Sequence, residues 1–464
     1  MTGTEELPPP SNPLAVARRL LPDWQTDTGR LICRRWRGSW MRWTGTRWRE
    51  LDEQQVRADL YTRLEHATYS TPGKDGQPEL RDWAPTRTKI SNLLDALGAV
   101  TLLPTEVDAP AWITPESDGE QDGSPIVACD NGLLRIRDRA LLPHSPGFFN
   151  LVSVPYDYDP AATAPTWESF LQRIWPHDPE AISALQEWFG YVLSGRTDQQ
   201  KILLIKGPSR SGKGTIARVL KELVGRDNLA GPTLAGLGSN FGLSSLLGKP
   251  LAVISDARLS GKDGGQVVER LLTISGEDTI DIDRKFRDPW TGKLPTRLMI
   301  LTNELPNFGD SSGVIARRFV VLSMTLSWLG REDTSLTDKL ATEMPGILNW
   351  ALDGLARLEE RGRITEPASS RESVVIMQDT ASPTSAFVRE RCAIGPDCTV
   401  PVDTLWAIWR EWAEDNGVRA VGTKQMFGRN LQSVVPQLHR ARPRDQYGRQ
   451  VPTYVGITLT QCHP

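Results

Sequence analysis

Short apolar runs alternate with amphipathic helical patterns between about residues 196 and 330. Neighbouring parallel strands need a crossover connection, which is usually a helix, so this alternation predicts an α/β domain with a mainly parallel sheet. Each apolar run has the length of one buried strand. The runs are KILLIK at 201–206, LAVIS at 251–255, RLMILT at 297–302 and FVVLSM at 319–324.

The patterns on either side of this domain predict a multidomain α/β chain. Helical periodicity at 166–195 is broken by Pro176 and Pro179, which predicts a helical hairpin. The predicted regions are a disordered tail at 1–13, a Trp-rich α+β region at 14–120, a strand and helix region at 121–195, the α/β domain at 196–330, a helical lid at 331–361, a polar linker at 362–384 and a small α+β unit at 385–464.

The Trp-rich region contains the stretch SWMRWTGTRWREL at 39–51, which predicts a β-hairpin around a Thr-Gly-Thr turn. Its interleaved Arg and Trp side chains fit the two faces of a small sheet. They fit stacking on nucleic-acid bases equally well. The sequence leaves both interpretations open.

The stretch GPSRSGKGT at 207–215 follows the first apolar run and opens a helical pattern. Glycine lets backbone N–H groups turn inward around phosphate oxygens, and the start of the helix adds a favourable dipole. The lysine can reach the β- and γ-phosphates of a nucleotide. The sequence therefore predicts a phosphate site made by Gly207, Ser211, Gly212, Lys213, Gly214 and Thr215.

Gly214 stands where this motif usually has Ser or Thr, and the hydroxyl is displaced by one position to Thr215. Adenylate kinases carry the same Gly-Lys-Gly-Thr order, so phosphate binding tolerates it. Asp256 follows the second apolar run, where an acid can hold Mg²⁺ through water or orient an attacking water. Thr215 and Asp256 are the predicted Mg²⁺ ligands, and which hydroxyl meets the metal stays open.

Polar residues also end the next two strands of the predicted sheet. Asn303 follows RLMILT, where an amide can hold an attacking water near the γ-phosphate. Arg317 and Arg318 precede FVVLSM, where an arginine can reach the ATP of a neighbouring subunit. A surface salt bridge is the alternative for this pair.

The order of these residues resembles superfamily 3 helicases of small DNA viruses, phages and plasmids. More narrowly, the chain looks like the phage/plasmid DNA primase-helicase family, which is related to the poxvirus primase-helicase. The resemblance covers about 125–325 and the C-terminal segment, whereas 14–120 matches only loosely. The stretches that carry it are CDNGLLRIRD, LLPHSPGFFNLVSVPYDYDP, LQEWFGYVLSG, GPSRSGKGTIARVL, GEDTIDIDRKF, ILTNELPNFGD and IARRFVVL.

The resemblance implies an AAA+-like P-loop core that forms a homohexameric ring, with ATP between subunits and 3′-to-5′ movement on single-stranded DNA. Lys213 would be the phosphate lysine, Asp256 the Mg²⁺ and water acid, and Asn303 the sensor. Arg318 would be the arginine finger, with Arg317 as second choice. Members usually carry two acids where this chain has Ser255-Asp256, which is a departure from the pattern.

The stretch GEDTIDIDRKFRDPWTGKLPTR at 276–297 predicts a strand, a turn and a second strand. In the family that the chain resembles, a hairpin at this place grips DNA in the ring channel. Lys285 matches the gripping lysine, with Arg284 and Arg287 beside it. An ordinary charged surface loop is the alternative interpretation.

The last 80 residues predict two helices and a β-hairpin with a basic loop, which is the order of a winged-helix DNA-binding domain. Residues 419–449 hold seven Lys or Arg and one Asp. Such a surface can bind duplex DNA through its phosphates, although a basic solvated face is the alternative. The predicted contacts are Lys424, Arg429, Arg440, Arg442 and Arg444.

Composition changes this picture little. The net charge of −3 excludes a protein coated in positive charge but leaves room for local basic patches. Five cysteines without zinc spacing fit a reducing cytoplasm, which would be that of a bacterial host if a phage or plasmid encodes the chain. No apolar run reaches about 18 residues, so no membrane span is expected.

We therefore expect an ATP-dependent replicative DNA helicase that uses ATP and Mg²⁺ and binds single-stranded and duplex DNA. Two alternatives remain open, a nucleotide-kinase-like P-loop enzyme and a DNA-binding initiator that does not unwind. Residues 1–120 show no paired-carboxylate motif for primer synthesis, so any primase is expected to be a separate partner chain.

Overall fold

The computed structural model describes residues 5–72, 77–113, 124–239, 241–255, 264–285, 287–308, 313–418, 421–444 and 446–460. The chain divides into two compact units, Met1–Pro160 and Ala161–Pro464. The region predicted at 121–195 is therefore split between them. Within the described ranges, no helix is long and apolar enough to cross a membrane.

The first unit combines helices with small antiparallel sheets. Its helices are α1 (Pro13–Leu20), α2 (Glu53–Leu64) and α3 (Arg87–Val100). Its strands are β1 (Cys33–Trp36), β2 (Ser39–Trp43), β3 (Trp48–Leu51), β4 (Thr68–Pro72), β5 (Pro78–Asp82), β6 (Ala111–Trp112), β7 (Ile126–Cys129), β8 (Gly132–Arg135), β9 (Ala140–Leu142) and β10 (Phe148–Phe149).

The predicted Trp-rich hairpin is formed by β2 and β3, which pair antiparallel beside β1. Its two faces lie in different cores. Trp40 packs with the helices of the unit, and Trp48 packs with Phe149. Both indoles are buried, with at most 2% exposed, so these two tryptophans belong to the sheet's packing and not to an open base-stacking surface.

The second unit holds the predicted α/β domain and everything after it. Its helices are α4 (Pro165–Ile174), α5 (Pro179–Leu193), α6 (Lys213–Val224), α7 (Leu234–Leu237), α8 (Gly264–Ser275), α9 (Leu336–Thr342), α10 (Met344–Arg361), α11 (Ala368–Ala381), α12 (Pro383–Arg391), α13 (Val402–Asp415) and α14 (Lys424–Val434). Its strands are β11 (Ile202–Lys206), β12 (Leu229–Ala230), β13 (Leu251–Ile254), β14 (Ile280–Arg284), β15 (Arg287–Gly292), β16 (Arg297–Thr302), β17 (Phe319–Ser323), β18 (Cys392–Pro401), β19 (His439–Ala441) and β20 (Thr453–Leu459).

The central sheet has the order β12-β13-β16-β11-β17, and all its strand pairs are parallel. This confirms the predicted parallel sheet, and the four apolar runs supply four of its strands. Because both faces are covered, these strands are apolar throughout and not alternating. The carboxyl ends of the parallel strands lie at the same end of the sheet, where the loops that follow them meet.

The helical hairpin is formed by α4 and α5, and a buried arginine attaches it to the sheet. Arg297 begins β16 and donates to the carbonyl oxygens of Val192 (2.8 Å) and Gly195 (3.1 Å) at the end of α5. Burial lowers the pKa of Arg297 to about 10. The guanidinium satisfies carbonyls that the end of a helix leaves without intrahelical donors.

Residues 362–384 are not the predicted linker, because α11 occupies most of this range. The helix lies on β17, where Ser370 Oγ accepts a hydrogen bond from Val321 N (2.8 Å). Ser370, Ser373 and Met377 form its buried face. The serines can be buried on this face because Ser370 bonds to the edge strand. The helix therefore lacks the apolar stripe by which a sequence pattern predicts a helix.

A buried carboxylate joins this region to the helices before it. Glu187 on α5 is fully buried and accepts from Nε of Arg357 on α10 (2.8 Å). It also accepts from the backbone N–H (2.6 Å) and the hydroxyl (2.9 Å) of Thr365. One side chain therefore holds α5, α10 and the start of the following segment together.

The C-terminal region contains α12, α13 and α14 around an aromatic core, with the sheet β18-β20-β19. Trp409 and Trp412 of α13 stack on each other, and Phe427 of α14 stacks on Trp409. The two predicted helices and the predicted hairpin are present. The preceding strand β18 was not predicted, because a register shift interrupts its pairing between Ile394 and Thr399.

Candidate functional site

The glycine loop, residues 207–212, joins the carboxyl end of β11 to the first turn of α6. Gly212 precedes α6 with a φ of +105°, a conformation that favours glycine. At Gly207 a Cβ atom would lie 2.7 Å from Met324 Cβ, so the loop backbone passes close to the segment after β17. Both glycines are therefore required by the geometry of the loop.

Lys213 begins α6 and turns its ammonium group back onto the glycine loop. Nζ donates to the carbonyl oxygens of Gly207 (2.5 Å) and Pro208 (2.7 Å) and to Oδ1 of Asn303 (3.1 Å). The first N–H groups of a helix have no intrahelical partner, so the start of α6 presents donors at the same place. A cation beside a helix N-terminus is an arrangement that binds phosphate groups.

Asn303 follows β16, the strand next to β11. The parallel register pairs Thr302 with Lys206, which sets Asn303 beside the start of the glycine loop. The Thr302 hydroxyl donates to the carbonyl oxygen of Glu304 (2.7 Å) and fixes the turn. Asn303 is exposed, so its amide is available to a molecule bound at the loop.

The carboxyl end of strand β13 lies at the same end of the sheet, and β16 separates β13 from β11. Ser255 follows it and is exposed. Asp256, the predicted acid, lies outside the described residues. In the part of the chain that is described, no group of three His, Cys, Asp or Glu side chains could hold a metal ion.

The hydroxyl groups of the motif have different surroundings. Ser211 is buried, and its Oγ lies 3.3 Å from the sulfur of Met324. Thr215 Oγ1 accepts from Nη2 of Arg218 (3.1 Å). A hydroxyl oxygen has a second lone pair, so Thr215 fits as a ligand of Mg²⁺ once the Arg218 guanidinium turns away from the cation. Gly214, beside it, is exposed.

The segment after β17 contacts the glycine loop, and the sequence pattern did not indicate this contact. Ser327 Oγ donates to Ser209 O (2.8 Å), and Trp328 N donates to Arg210 O (2.9 Å). Arg210 has a φ of +59°, which is uncommon outside glycine, and its Nε lies 3.7 Å from a Glu332 oxygen. The sequence sign of this contact is Arg210, which lies inside the motif and adds a second cation to the loop.

Arg317 and Arg318 lie at the opposite end of the sheet from the glycine loop, beside the amino ends of the strands. They precede β17, and the pairing of Phe319 with Ile202 places this end of β17 beside the amino end of β11. At a rise of about 3.3 Å per residue, the length of β11 separates the two edges by about 16 Å. These arginines are therefore remote from the glycine loop of their own chain.

The two arginines also differ from each other. Arg318 is half-buried, and its Nη1 donates to Oε1 of Gln200 (2.6 Å). Arg317 is exposed, and its backbone carbonyl accepts from Nζ of Lys201 (2.9 Å). The side chain of Arg317 is the more accessible of the two.

The stretch predicted to be a hairpin forms one, from β14 and β15. Ile280 and Ile282 of β14 are buried in the core of the α/β domain, which anchors the base of the hairpin. Lys285 lies in the turn and is exposed. Arg284 is half-buried and pairs with Arg287 in the ladder. The side chain of Arg287 lies outside the described residues.

Two of the predicted C-terminal DNA contacts are engaged within the protein. The Arg440 guanidinium lies 5.3 Å from the ring centre of Tyr454, and its Nη2 donates to the Tyr454 hydroxyl (3.1 Å). The Lys424 ammonium forms an ion pair with Asp403. Both side chains therefore have a structural role that the sequence did not indicate.

The other three predicted contacts, Arg429, Arg442 and Arg444, are exposed. Arg442 and Arg444 lie on a two-stranded extension of β19 and β20, residues 441–444 and 446–453, which we call the ribbon. The ribbon is held by a hydrogen bond from Val451 N to Pro443 O (2.9 Å) and by the pairing of Arg444 with Gln450.

Three family models match different parts of the chain. A model described as D5 N terminal like matches residues 17–176, and one described as Poxvirus D5 protein-like matches 380–458. A family of unknown function, DUF5906, matches 205–318, from the glycine loop to Arg318. The first of these extends the resemblance into the Trp-rich region, which the motifs alone matched loosely.

One curated relative is an uncharacterized mitochondrial protein, ymf21, of Marchantia polymorpha, 27% identical over 105 residues. That match spans 23% of this chain and 58% of the relative's length. Solved apo structures of the NrS-1 C-terminal region are similar in fold over 96% of this chain and at least 99% of theirs. Two of them have TM-scores of 0.52 and 0.55, with sequence identities of 14% and 15%.

The matches at the two ends of the chain thus agree with the motif order in its middle. The predicted resemblance is confirmed by the two D5 models together with the fold shared with the NrS-1 C-terminal region. This chain is therefore similar, at both of its ends, to a phage and viral primase-helicase-like family.

Proposed function

We propose that this protein is an ATP-driven DNA helicase of phage or plasmid replication. The observation that carries the proposal is the hydrogen bond between Lys213 and Asn303 at the glycine loop. It brings a phosphate-binding cation and a water-positioning amide together at one edge of a parallel sheet. Ligands of such sheets bind outside the carboxyl ends of the strands.

ATP binds with its phosphates in the glycine loop. Lys213 exchanges its carbonyl partners for β- and γ-phosphate oxygens, while N–H groups at the start of α6 donate to the same phosphates. Asn303 holds a water molecule for attack on the γ-phosphate. Each group acts on charge that is already present or develops in the transition state, so positioning and electrostatics supply the catalysis.

The ATP carries Mg²⁺, which would be held by Thr215 and Asp256. The ion neutralises charge on the β- and γ-phosphates. With the cation bound, Arg218 would leave the Thr215 hydroxyl and would be free to pair with a phosphate oxygen. This exchange of partners accounts for an arginine one turn along α6 from the loop.

Hydrolysis requires a second subunit. Arg317 and Arg318 are about 16 Å from the loop of their own chain, as the strand length requires. Arranged head to tail in a ring, each subunit presents its arginines to the loop of the next. We propose a homohexamer of this kind, in which Arg317 or Arg318 stabilises negative charge on the transferred phosphate.

DNA is gripped at two places. The hairpin of β14 and β15 presents Lys285 at its turn and holds the backbone of single-stranded DNA in the ring channel. The C-terminal region acts as a winged-helix domain and binds duplex phosphates through Arg429, Arg442 and Arg444. Its basic ribbon is the wing.

ATP hydrolysis measured with and without single-stranded DNA tests the proposal. We expect DNA to stimulate hydrolysis, Lys213→Ala to abolish it, and Lys285→Ala to lose the stimulation while keeping the basal rate. Lys293→Ala is the matched control, because Lys293 is an exposed lysine at the base of the same hairpin.

Strand displacement of a forked duplex is the second assay, since it separates a helicase from an initiator that hydrolyses ATP without unwinding. DNA-independent hydrolysis, unchanged by Lys285→Ala, would contradict the motor. Transfer of the γ-phosphate to a nucleotide in place of water would establish the kinase alternative.

A further inference from the structure

The tip of the ribbon carries an aromatic side chain in an unusual position. Tyr447 is 78% exposed, the largest value among the exposed large apolar residues of the described chain. It lies in the turn that follows the pairing of Arg444 with Gln450. The next residue, Gly448, has a φ of +76°, which fixes a tight turn.

Hydrogen bonds between its two strands support the ribbon up to the turn that carries Tyr447. Its last regular pair is Ala441 with Thr453, and the pairing continues to Arg444 through the Val451 N to Pro443 O bond. Three residues of extended backbone span about 10 Å. Tyr447 is thus presented at the end of a hydrogen-bonded support.

The sequence around the tip is mainly basic, with three arginines against one acid, Asp445. Arg442 and Arg444 precede Tyr447 on the ribbon and are exposed, and Arg449 follows it and is exposed as well. Exposed arginines attract a phosphate backbone, whereas an exposed aromatic ring gains by leaving water. The two requirements are met together by a nucleic acid, which has phosphates on its outside and flat apolar bases between them.

We propose that Tyr447 stacks on an unpaired base, so that the ribbon recognises the junction between duplex and single-stranded DNA. This inference rests on the proposed DNA binding of the C-terminal region and adds the part of the substrate that the ribbon selects. In intact duplex the bases are stacked on each other and closed to the ring. At a fork or a bubble a base is free, and stacking it on an aromatic side chain is favourable without sequence preference.

Binding of three DNAs to the full-length protein tests this inference. They are a blunt duplex, the same duplex with a three-nucleotide bubble, and a fork, each labelled with a fluorophore and titrated by anisotropy at one salt concentration. The variants are Tyr447→Ala and Tyr447→Phe, with Tyr61→Ala as the control. Tyr61 is an exposed tyrosine on α2 in the first unit.

We expect Tyr447→Ala to weaken bubble and fork binding by about 5- to 150-fold, the range that corresponds to losing one base stack. Duplex binding should change less than about twofold, since the arginines are kept. Tyr447→Phe should bind like the wild type because it keeps the ring. A 2-aminopurine placed in the bubble should be quenched by wild type and Tyr447→Phe but not by Tyr447→Ala.

Equal binding of all variants to the bubble and the fork would overturn the inference. An equal loss on duplex and bubble would also overturn it, because Tyr447 would then support the ribbon in place of reading a free base. The binding result is independent of ATP hydrolysis. If Lys285→Ala does not change hydrolysis but Tyr447→Ala weakens bubble binding, the motor is contradicted and the junction-binding ribbon is supported. If Lys285→Ala loses the stimulation but Tyr447→Ala binds the bubble like the wild type, the motor is supported and the junction-binding ribbon is contradicted.

Discussion

The ammonium group of Lys213 donates to Oδ1 of Asn303 across 3.1 Å, which joins the glycine loop to the end of the neighbouring strand. The two residues are 90 positions apart in the sequence. They meet because β11 and β16 are parallel neighbours that end at the same edge. In the proposed reaction a nucleotide attracts the lysine, and the amide then loses this partner and can turn to a water molecule.

Replacing Asn303 with Ala should therefore separate binding from hydrolysis. We expect kcat for ATP to fall by about 10²- to 10³-fold, the usual cost of removing one group that acts on the transition state. The Kd for ATP should remain within about threefold, because Lys213 and the loop N–H groups are kept. Steady-state hydrolysis and titration with a fluorescent ATP analogue measure the two quantities. A loss of affinity equal to the loss of rate would give Asn303 a binding role.

Mixing two inactive variants tests the shared site. Lys213→Ala destroys the loop of a subunit and keeps its arginines, whereas Arg317→Ala does the reverse. If ATP sits between subunits, each alone should be inactive, and a mixture should regain part of the wild-type hydrolysis at interfaces that combine the intact halves. Arg318→Ala in place of Arg317→Ala identifies which arginine acts.

The control for this experiment is the same mixture made from two loop variants, Lys213→Ala and Thr215→Ala, which leaves no complete interface of wild-type halves. Activity that stays at zero in the first mixture, although size measurements show mixed assemblies, would contradict an arginine acting between subunits.

The C-terminal arginines should not contribute equally to DNA binding. Arg442→Ala and Arg444→Ala should each weaken duplex binding and lower the slope of log Kd against log salt by about 1. Arg440→Ala should instead lower thermal stability, since its guanidinium lies on Tyr454. Anisotropy titrations at four salt concentrations, with melting curves of each variant, distinguish these effects. A full salt-slope change for Arg440→Ala at unchanged stability would reverse the assignment.

The buried carboxylate predicts a large stability effect far from any ligand. Arg357→Ala removes the ion-pair partner at 2.8 Å from the fully buried Glu187 and leaves it Arg361 at 3.8 Å. We expect a loss of about 3 kcal/mol, the low end for a broken buried pair, because Arg357 is 32% exposed and water replaces part of the contact. Arg226→Ala removes an exposed pair with Glu222 and should cost less than about 0.5 kcal/mol. Urea unfolding followed by tryptophan fluorescence measures both, and equal losses would contradict the expectation.

Sequence patterns predicted the parts of the fold in which local preference and burial agree. The four apolar runs became β11, β13, β16 and β17 because strands covered on both faces must be apolar. The glycine loop and the hairpin around Lys285 were likewise predictable, since each depends on turn residues that are local in sequence.

Other features depend on contacts that no local pattern encodes. The sequence predicts a linker where helix α11 lies, because two of the three residues on its buried face are serines and Ser370 bonds to a strand. Strand β12 has only two residues and forms through its pairing with β13. The hydrogen bonds from Arg318 to Gln200 and from Arg440 to Tyr454 join residues that only the tertiary structure brings together.

Ser370 has a consequence for how copies of this chain can associate. Strand β17 is at the edge of the central sheet, and an open edge accepts further strands from any chain that offers them. Here the outward N–H of Val321 is already taken by the Ser370 hydroxyl, and α11 lies over the strand. Continuous β-sheet growth from one subunit to the next is thereby blocked at this edge. Association of copies at this edge therefore has to be made by side chains.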